Sequence, residues 1–235
     1  METKKKTKTI QVPRLKKLPF LVHGFGTKHL TEQYFNQIPQ YKGFKKICLD
    51  QKHSNVVHCV KEGSSGILEG DGLVTAEPDI LLVIKTADCL PVLIVDTHQR
   101  IIGAVHSGWR GTGRKILKKT LEIMKDQYSC QSSSLLAAMG PCICGKCYEV
   151  GEDVVGFFEA GGIPLSLFVC HSNKENKYFL DLKKANQLQL QEIGVGKDSV
   201  LSIDECTYCS PRLLSFRRNG QNNGRLLNFI GIESG

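Results

Sequence analysis

The stretch Lys85-Thr-Ala-Asp-Cys-Leu-Pro-Val-Leu-Ile-Val-Asp-Thr-His-Gln-Arg-Ile-Ile-Gly-Ala-Val-His-Ser-Gly-Trp-Arg-Gly-Thr112 decides how the rest of the chain is arranged. Its two apolar runs, residues 90–95 and 100–105, flank the polar residues 96–99, which predicts an antiparallel hairpin with a four-residue loop. If Val95 faces Arg100, Cys89 lies opposite His106 just beyond the open end of the hairpin. Opposed residues in such a ladder have Cα atoms about 4.5–5.5 Å apart. We therefore expect a thiol and an imidazole to share a site.

A glycine-rich segment, residues 107–113, follows this histidine. Apolar or semi-polar residues at 116, 117, 120, 121, 124 and 128 then predict an amphipathic helix. A glycine-rich turn before a helix start presents free N–H groups that suit an anion. Trp109, the single tryptophan, is either a stacking wall of that site or a packing residue.

Composition and charge favour one globular domain. The 235 residues are 41% hydrophobic, and the net charge is +8. Residues 1–17 carry a net +6 and are predicted to be a flexible basic tail, which leaves +2 for the predicted catalytic domain, residues 18–235. The basicity is therefore no sign of nucleic-acid binding.

The chain lacks the pattern of a secreted or membrane protein. No apolar signal core follows Met1, and the most apolar region, residues 80–95, contains Lys85 and Asp88 and is too short to span a bilayer. We expect a cytoplasmic location. The ten cysteines should then be reduced and available for metal binding, catalysis or burial.

Strands and helices alternate along the chain, which favours an α/β or α+β domain. Helices are predicted at about 151–159 and 181–193, the second with Asp181 as N-cap and Gly194 just past its end. Strands are predicted at 18–26, 43–49, 56–60, 80–84, 135–139 and 200–203, with closing strands at 216–218 and 226–232 around an Asn-Asn-Gly turn.

Three metal-binding interpretations compete. The first places one zinc ion on His53, Cys89 and His106, because zinc takes imidazole and thiolate ligands and three protein ligands leave a position for water or substrate. His53 lies in a polar turn, whereas His58 shares a face with valines and is predicted to be a core or edge residue. A non-metal alternative makes Cys89 and His106, with Asp88 nearby, a nucleophilic pair for acyl transfer.

The second interpretation is a structural Cys₄ zinc site made of two C-x₂-C pairs. These pairs are Cys144 with Cys147 and Cys206 with Cys209. The 58 residues between them exceed the spacing of about 15–20 usual in zinc modules. The third interpretation, a multicopper oxidase, needs closely spaced imidazoles, and seven histidines with no His-x-His pair exclude it.

Ordered motifs from about residue 23 to 232 resemble the laccase-domain family. They are Gln51-Lys-His53, Asp71-Gly-Leu-Val-Thr75, Thr86-Ala-Asp-Cys-Leu-Pro91, Ala104-Val-His-Ser-Gly-Trp-Arg-Gly111, Gly140-Pro, Cys147-Tyr-Glu-Val-Gly151, Cys206-Thr-Tyr-Cys209 and Ser215-Phe-Arg-Arg218. Members of that family are zinc-dependent purine nucleoside phosphorylases with adenosine deaminase and methylthioadenosine phosphorylase activity. The resemblance implies an α+β fold, a four-layer α/β/β/α sandwich, with one zinc per chain on His53, Cys89 and His106.

This chain departs from the family pattern at two places. Lys28 stands where arginine is more usual, which keeps the charge but loses bidentate recognition of phosphate. Cys142 and Cys144 stand where small residues are expected. The resemblance makes Cys206 and Cys209 a family motif, but the cysteines at 142 and 144 keep the Cys₄ alternative open.

The resemblance also sets expectations for catalysis. Substrates would be phosphate and the purine nucleosides adenosine, inosine, guanosine and methylthioadenosine. Asp88 is the candidate proton shuttle for deamination, or else orients a ligand. The candidate phosphate-binding residues are Lys28, Arg110 and Arg218. A peptidoglycan-precursor editing amidase, or a Cys-His hydrolase, using the same site is the alternative.

Overall fold

The computed structural model describes residues 7–64, 66, 68–220 and 224–234. The strands are β1 (Thr9–Ile10), β2 (Leu21–Gly26), β3 (Lys45–Asp50), β4 (Val57–Cys59), β5 (Leu68–Glu69), β6 (Gly72–Thr75), β7 (Ile80–Thr86), β8 (Leu90–Asp96), β9 (Ile101–Ser107), β10 (Leu135–Met139), β11 (Glu149–Gly151), β12 (Val169–His171), β13 (Lys177–Leu180), β14 (Val200–Ser202) and β15 (Leu226–Ile232). The α-helices are α1 (Glu32–Gln37), α2 (Trp109–Gly113), α3 (Ile116–Tyr128), α4 (Glu152–Ala160), α5 (Leu182–Glu192) and α6 (Phe216–Asn219). Short 3₁₀ helices lie at Leu15–Lys17, Pro39–Tyr41, Ser132–Ser134, Leu165–Leu167 and Lys197–Ser199.

Within the described residues, two mixed six-stranded sheets pack face to face. The first sheet has the order β1-β2-β15-β7-β3-β5, and the second has the order β14-β10-β8-β9-β6-β4. A small sheet, β11-β13-β12, lies apart from both. The side chains between the large sheets include Phe25, Leu82, Ile84, Leu93, Val95, Ile102, Ala104 and Ile230.

Helices cover the outer face of each large sheet. Val92 and Ile94 of β8 alternate with the inward residues and pack with α3 and α5, while Val83 of β7 packs with Phe35 of α1 and Tyr41. Because both faces of the central strands are covered, these strands read as continuous apolar runs rather than alternating ones. The predicted α/β/β/α sandwich is confirmed.

The central hairpin forms, but its predicted register is wrong. Val95 pairs with Ile102 and Pro91 with His106, so the loop is residues 97–100. The Asp96 carboxylate accepts hydrogen bonds from the N–H groups of the two middle loop residues, His98 and Gln99, each at 2.9 Å, which keeps Asp96 in the strand. The shift is two residues, so the faces of the strand are unchanged.

Two predicted segments fold differently. Most of the predicted glycine-rich turn, residues 109–113, forms the helix α2, and Thr112 N–H donates to the carbonyl of the N-cap Gly108 at 2.8 Å. The predicted strand at 216–218 is the helix α6, since the Ser215 hydroxyl caps it by accepting from Arg218 N–H. Of the predicted Asn-Asn-Gly turn, residues 222 and 223 lie outside the described residues.

Other predicted elements are confirmed. The strand Leu135–Met139 is found with the predicted bounds. Asp181 caps α5 by accepting from Lys184 N–H, and Gly194 adopts a φ of 92° beyond its end. The positive φ explains the glycine there.

The described part of the predicted basic tail packs on the domain instead of extending from it. Thr9 and Ile10 pair with β2, and Leu15 is fully buried in the core between the sheets. Residues 1–6 lie outside the described residues. No helix in the described ranges is both long and apolar enough to cross a membrane.

Candidate metal centre and active-site pocket

Three ligand atoms from separate parts of the chain meet at one edge of the second sheet. His53 follows β3, Cys89 precedes β8 and His106 lies near the end of β9, and their ligand atoms all lie within 4.8 Å of one another. Cys89 Sγ is 3.9 Å from His53 Nε2, and the two imidazole rings cross at 78°. One thiolate and two imidazoles form a donor set that fits zinc and leaves a position for a substrate atom.

The close approach of Cys89 and His106 survives the register error because Cys89 lies two residues before Pro91, the strand partner of His106. Residues two apart on a strand share a face. His53 reaches the pair from a turn in which its own φ is 55°.

Asp71 holds two of the three ligands in place and was not predicted as a site residue. Its buried carboxylate accepts from His106 Nδ1 at 2.7 Å and from the His53 N–H at 3.1 Å. The Ser54 N–H and hydroxyl donate to its other oxygen at 2.6 and 2.7 Å. When Nδ1–H of His106 is so engaged, Nε2 is left to bind a metal. The signal in the sequence is the turn Glu69-Gly-Asp-Gly72, where an acidic residue stands between glycines.

The electrostatics of the site favour a thiolate. Burial opposes the charged form, but the neighbouring His106 and His53 outweigh it and lower the pKa of Cys89 to about 6. Burial likewise disfavours a charged Asp71, yet hydrogen bonds from His106 and Ser54 lower its pKa to about 2. Both groups are thus anionic near neutral pH, which suits a cationic centre.

Gly108 lets the backbone pass close to the ligands. A Cβ added at this position would lie 3.0 Å from Cys89 Sγ and 3.1 Å from His53 Cδ2. The glycine is needed here for space rather than for backbone conformation, since its φ is −76°.

A pocket of about 480 Å³ opens over the three ligands. Its aromatic walls are Trp109, Tyr148 and Phe216, and its cationic groups are Lys85, Arg110, Arg217 and Arg225. Trp109 packs edge-on against Phe157 at 5.3 Å, and the Arg110 guanidinium lies 4.1 Å from the Trp109 ring centre. The volume and the lining suit a ligand that has an aromatic ring and an anionic group.

Asp88 lines the pocket, but both of its oxygens already accept hydrogen bonds. The Thr207 hydroxyl donates to Oδ1 at 2.6 Å, and the Arg217 N–H donates to Oδ2 at 2.7 Å. The residue is 8% exposed and has a φ of 87°. It therefore connects the segment of the ligand Cys89 to the turn that carries Thr207 and to the start of helix α6, which carries Arg217.

Two of the predicted phosphate-binding residues lie elsewhere. Lys28 and Arg218 line a second, separate pocket with Tyr208. Arg218 donates to the carbonyls of residues 207, 208, 210 and 213, so its guanidinium holds a loop together. Arg110 alone of the three lines the pocket over the metal ligands. Arg217, the residue next to Arg218 in the predicted motif, also lines the pocket over the metal ligands and was not predicted as a site residue.

A two-sheet sandwich with a Cys-His₂ cluster beneath an aromatic and cationic pocket is the architecture of a candidate metalloenzyme. The chain matches the family model described as multi-copper polyphenol oxidoreductase laccase over residues 30–233, and it belongs to this family.

Relatives in the family carry the names of enzymes. A purine nucleoside phosphorylase of Deinococcus radiodurans is 39% identical over 184 residues, which cover 78% of this chain and 69% of that protein. One of Clostridium acetobutylicum is 36% identical over 184 residues, 77% of this chain and 75% of that protein. Adenosine deaminase RL5, from an unknown prokaryotic organism, is 38% identical over 70% of this chain and 63% of that protein. This chain is accordingly an enzyme.

A solved structure shows the same fold. YlmD from Geobacillus stearothermophilus superposes with a TM-score of 0.87 at 25% identity and covers 97% of both chains.

Proposed function

We propose that the enzyme is a zinc-dependent purine nucleoside phosphorylase that also deaminates adenosine. The observation that carries this proposal is one pocket in which the Cys-His₂ cluster, aromatic walls and several cationic side chains come together. The names of the relatives support the same reaction class. The substrates would be phosphate with adenosine, inosine, guanosine or methylthioadenosine.

The metal we assign is zinc rather than copper. Within the described ranges, His53 and His106 are the imidazoles brought together at this site, with one thiolate, and this donor set is common in catalytic zinc sites. When bound, the ion supplies a Lewis acid at the floor of the pocket.

We assign phosphate binding to Arg110 together with Arg217 and Arg225, in place of Lys28 and Arg218. All three arginines line the pocket over the ligands. The Arg217 side chain is oriented by a 2.9 Å hydrogen bond to the Glu149 carbonyl. Guanidinium groups suit phosphate because they offer paired N–H donors.

The aromatic side chains would hold the purine, and Asp88 would hold a proton. Trp109, Tyr148 and Phe216 present ring faces or edges on which a planar base can stack. Each oxygen of Asp88 accepts one hydrogen bond, and a carboxylate offers about four acceptor positions. Asp88 can therefore accept a further N–H or O–H from a bound substrate.

The test is a nucleoside panel assayed with and without phosphate. Inosine should release hypoxanthine only when phosphate is present, and adenosine should release ammonia without it. Arg110→Ala should raise the KM for phosphate about tenfold. The matched control is Arg114→Ala, since Arg114 lies over Phe157 and not over Trp109. Absence of base release from every purine nucleoside would refute the phosphorylase.

A second candidate is a hydrolase at the same site, either an amidase that edits peptidoglycan precursors through the metal or a Cys-His hydrolase that uses Cys89 as nucleophile. The observation that favours it is that His106 contacts both Cys89 and Asp71. This is the arrangement of a nucleophile, a base and an acid that orients the base. Cleavage of a nucleotide-linked muropeptide, with purine nucleosides left untouched, would support the amidase over the phosphorylase. Hydrolysis that survives chelation but not alkylation of Cys89 would support the Cys-His hydrolase.

We place the enzyme in the cytoplasm. All ten cysteines are free, including the pair Cys147 and Cys209 with sulfurs 3.4 Å apart. In a reducing compartment such cysteines stay available to bind a metal.

A further inference from the structure

A second group of metal-ligating side chains lies outside the active-site cluster. Its four sulfur atoms all lie within 4.8 Å of one another. We call it the Cys₄ cluster, and it consists of Cys144, Cys147, Cys206 and Cys209. None of the four sulfurs is a member of the Cys-His₂ cluster.

The sheet brings the two halves of the Cys₄ cluster together. One half follows β10 and the other follows β14, and these two strands pair in parallel. The pairing continues past the strands, where Cys142 bridges to Cys206 and Thr207 N–H donates to the Cys142 carbonyl at 3.1 Å. Parallel neighbours carry their following loops to the same edge of a sheet. The 58 residues between the pairs in sequence are therefore no obstacle.

The spacing of the sulfurs fits a tetrahedral ion. Four sulfurs at about 2.3 Å from zinc lie roughly 3.8 Å from one another. The Cys147 and Cys209 sulfurs are 3.4 Å apart, far longer than the roughly 2.05 Å of a disulfide bond. Each C-x₂-C pair is held in a turn, by Cys147 N–H to the Cys144 carbonyl at 2.9 Å and by Ser210 N–H to the Cys206 carbonyl at 2.9 Å.

Hydrogen bonds and charge around the cluster favour bound thiolates. The Cys144 N–H donates to Cys206 Sγ at 3.3 Å, across from one turn to the other. The guanidinium of Arg218 donates to the carbonyls of Thr207, Tyr208 and Ser210 and so places a positive charge in the second turn. N–H donors to sulfur and a nearby cation both offset the negative charge of a tetrathiolate site.

We propose that the Cys₄ cluster binds a second zinc ion, which is structural and holds one wall of the active-site pocket. All four positions of the ion are filled by sulfur, so it takes no part in the chemistry. Its effect passes through the neighbouring residues. Tyr148 follows Cys147 and lines the pocket, and Thr207 follows Cys206 and donates to Asp88 at 2.6 Å. Cys142 is buried and belongs to the strand bridge rather than to the ligand set.

The first measurement is metal content of protein purified under reducing conditions. Wild type should hold about two zinc ions per chain, and Cys89→Ala should retain one. The double variant Cys147→Ser with Cys209→Ser should also retain one. The matched control is Cys170→Ser, an exposed cysteine outside both clusters, which should keep both ions.

The second measurement does not depend on the folding of the double variant. X-ray absorption at the zinc edge of the Cys89→Ala protein should show four sulfurs at about 2.3 Å and no nitrogen. A zinc-free Cys89→Ala protein, or a mass showing a Cys147–Cys209 disulfide in the reduced preparation, would overturn the proposal.

A third variant separates the structural ion from the contact that it supports. Thr207→Val removes the hydroxyl that donates to Asp88 and should lower kcat while both zinc ions remain. If the double cysteine variant loses the zinc ion of the Cys₄ cluster but keeps full kcat, the supporting role assigned to that ion is wrong.

Discussion

The buried carboxylate of Asp71 is the group whose loss should weaken metal binding as well as the fold. Oδ1 accepts from His106 Nδ1 and from the His53 N–H. Oδ2 accepts from the Lys52 N–H, the Ser54 N–H and the Ser54 hydroxyl. In Asp71→Asn, either orientation of the amide turns its NH₂ group toward at least one N–H donor. The substitution therefore replaces favourable contacts with a donor facing a donor.

The magnitude follows from these contacts. Hydrogen bonds to a charged group contribute about 1.5–3 kcal/mol each, so Asp71→Asn should lower the free energy of unfolding by about 3 kcal/mol. The ring of His106 also loses the partner that fixes its tautomer. Loss of such a partner typically weakens metal binding about 10–100-fold. The assay is competition for zinc with a chromophoric chelator, alongside urea unfolding of the metal-free protein.

Asp96 provides the matched control. It is also fully buried, and it accepts from the Ser134 hydroxyl at 2.7 Å and from two loop N–H groups at the closed end of the β8–β9 hairpin. Asp96→Asn should lower stability and leave zinc affinity unchanged. The reasoning is refuted if Asp71→Asn binds zinc as tightly as wild type, or if Asp96→Asn weakens binding equally.

Three further predictions concern space, pH and phosphate. Gly108→Ala should lower zinc affinity about tenfold, because the added Cβ would crowd the Cys89 sulfur. Gly156→Ala, whose Cβ would meet nothing within 4 Å, should leave the affinity unchanged. Dialysis of both variants against a chelator compares their zinc affinities. Burial lowers the pKa of His23 from 6.5 to about 4, so the folded protein favours the neutral imidazole. The free energy of unfolding therefore has its full value above pH 6.5 and falls by about 3 kcal/mol as the pH is lowered to 4. Urea unfolding between pH 6.5 and 4 should show this fall in the free energy of unfolding for wild type but not for His23→Gln. In steady-state kinetics Arg110→Ala should raise the KM for phosphate while the KM for inosine stays constant.

The local sequence was sufficient for the parts of the site that depend on strand faces. Cys89 and His106 were expected to meet from one hairpin, and they do meet although the register was wrong by two residues. A register shift of two residues preserves the face on which each side chain lies, so Cys89 and His106 still lie close together. The continuous apolar run at residues 80–84 likewise predicted a strand covered on both faces, as found, whereas the four-layer sandwich was expected from the family resemblance.

The roles of polar side chains could not be obtained in this way. Arg218 was expected to bind phosphate, but the loop of residues 207–213 folds back so that four carbonyls surround its guanidinium. Asp71 acquires its role because the loop of residues 52–54 turns its N–H groups toward it. Hydrogen bonds of this kind depend on loop conformation, which has no periodicity to read.

The sequence by itself predicted the hairpin and, through the family resemblance, the sandwich and the three candidate ligands that the structure brings together. Only the tertiary structure decided which cations line the pocket and that the two C-x₂-C pairs meet. The physical reason is that a strand face repeats every two residues and can be counted along the chain. The parallel pairing of β10 with β14 instead joins segments far apart in sequence, and no local pattern records which distant strand will be the neighbour.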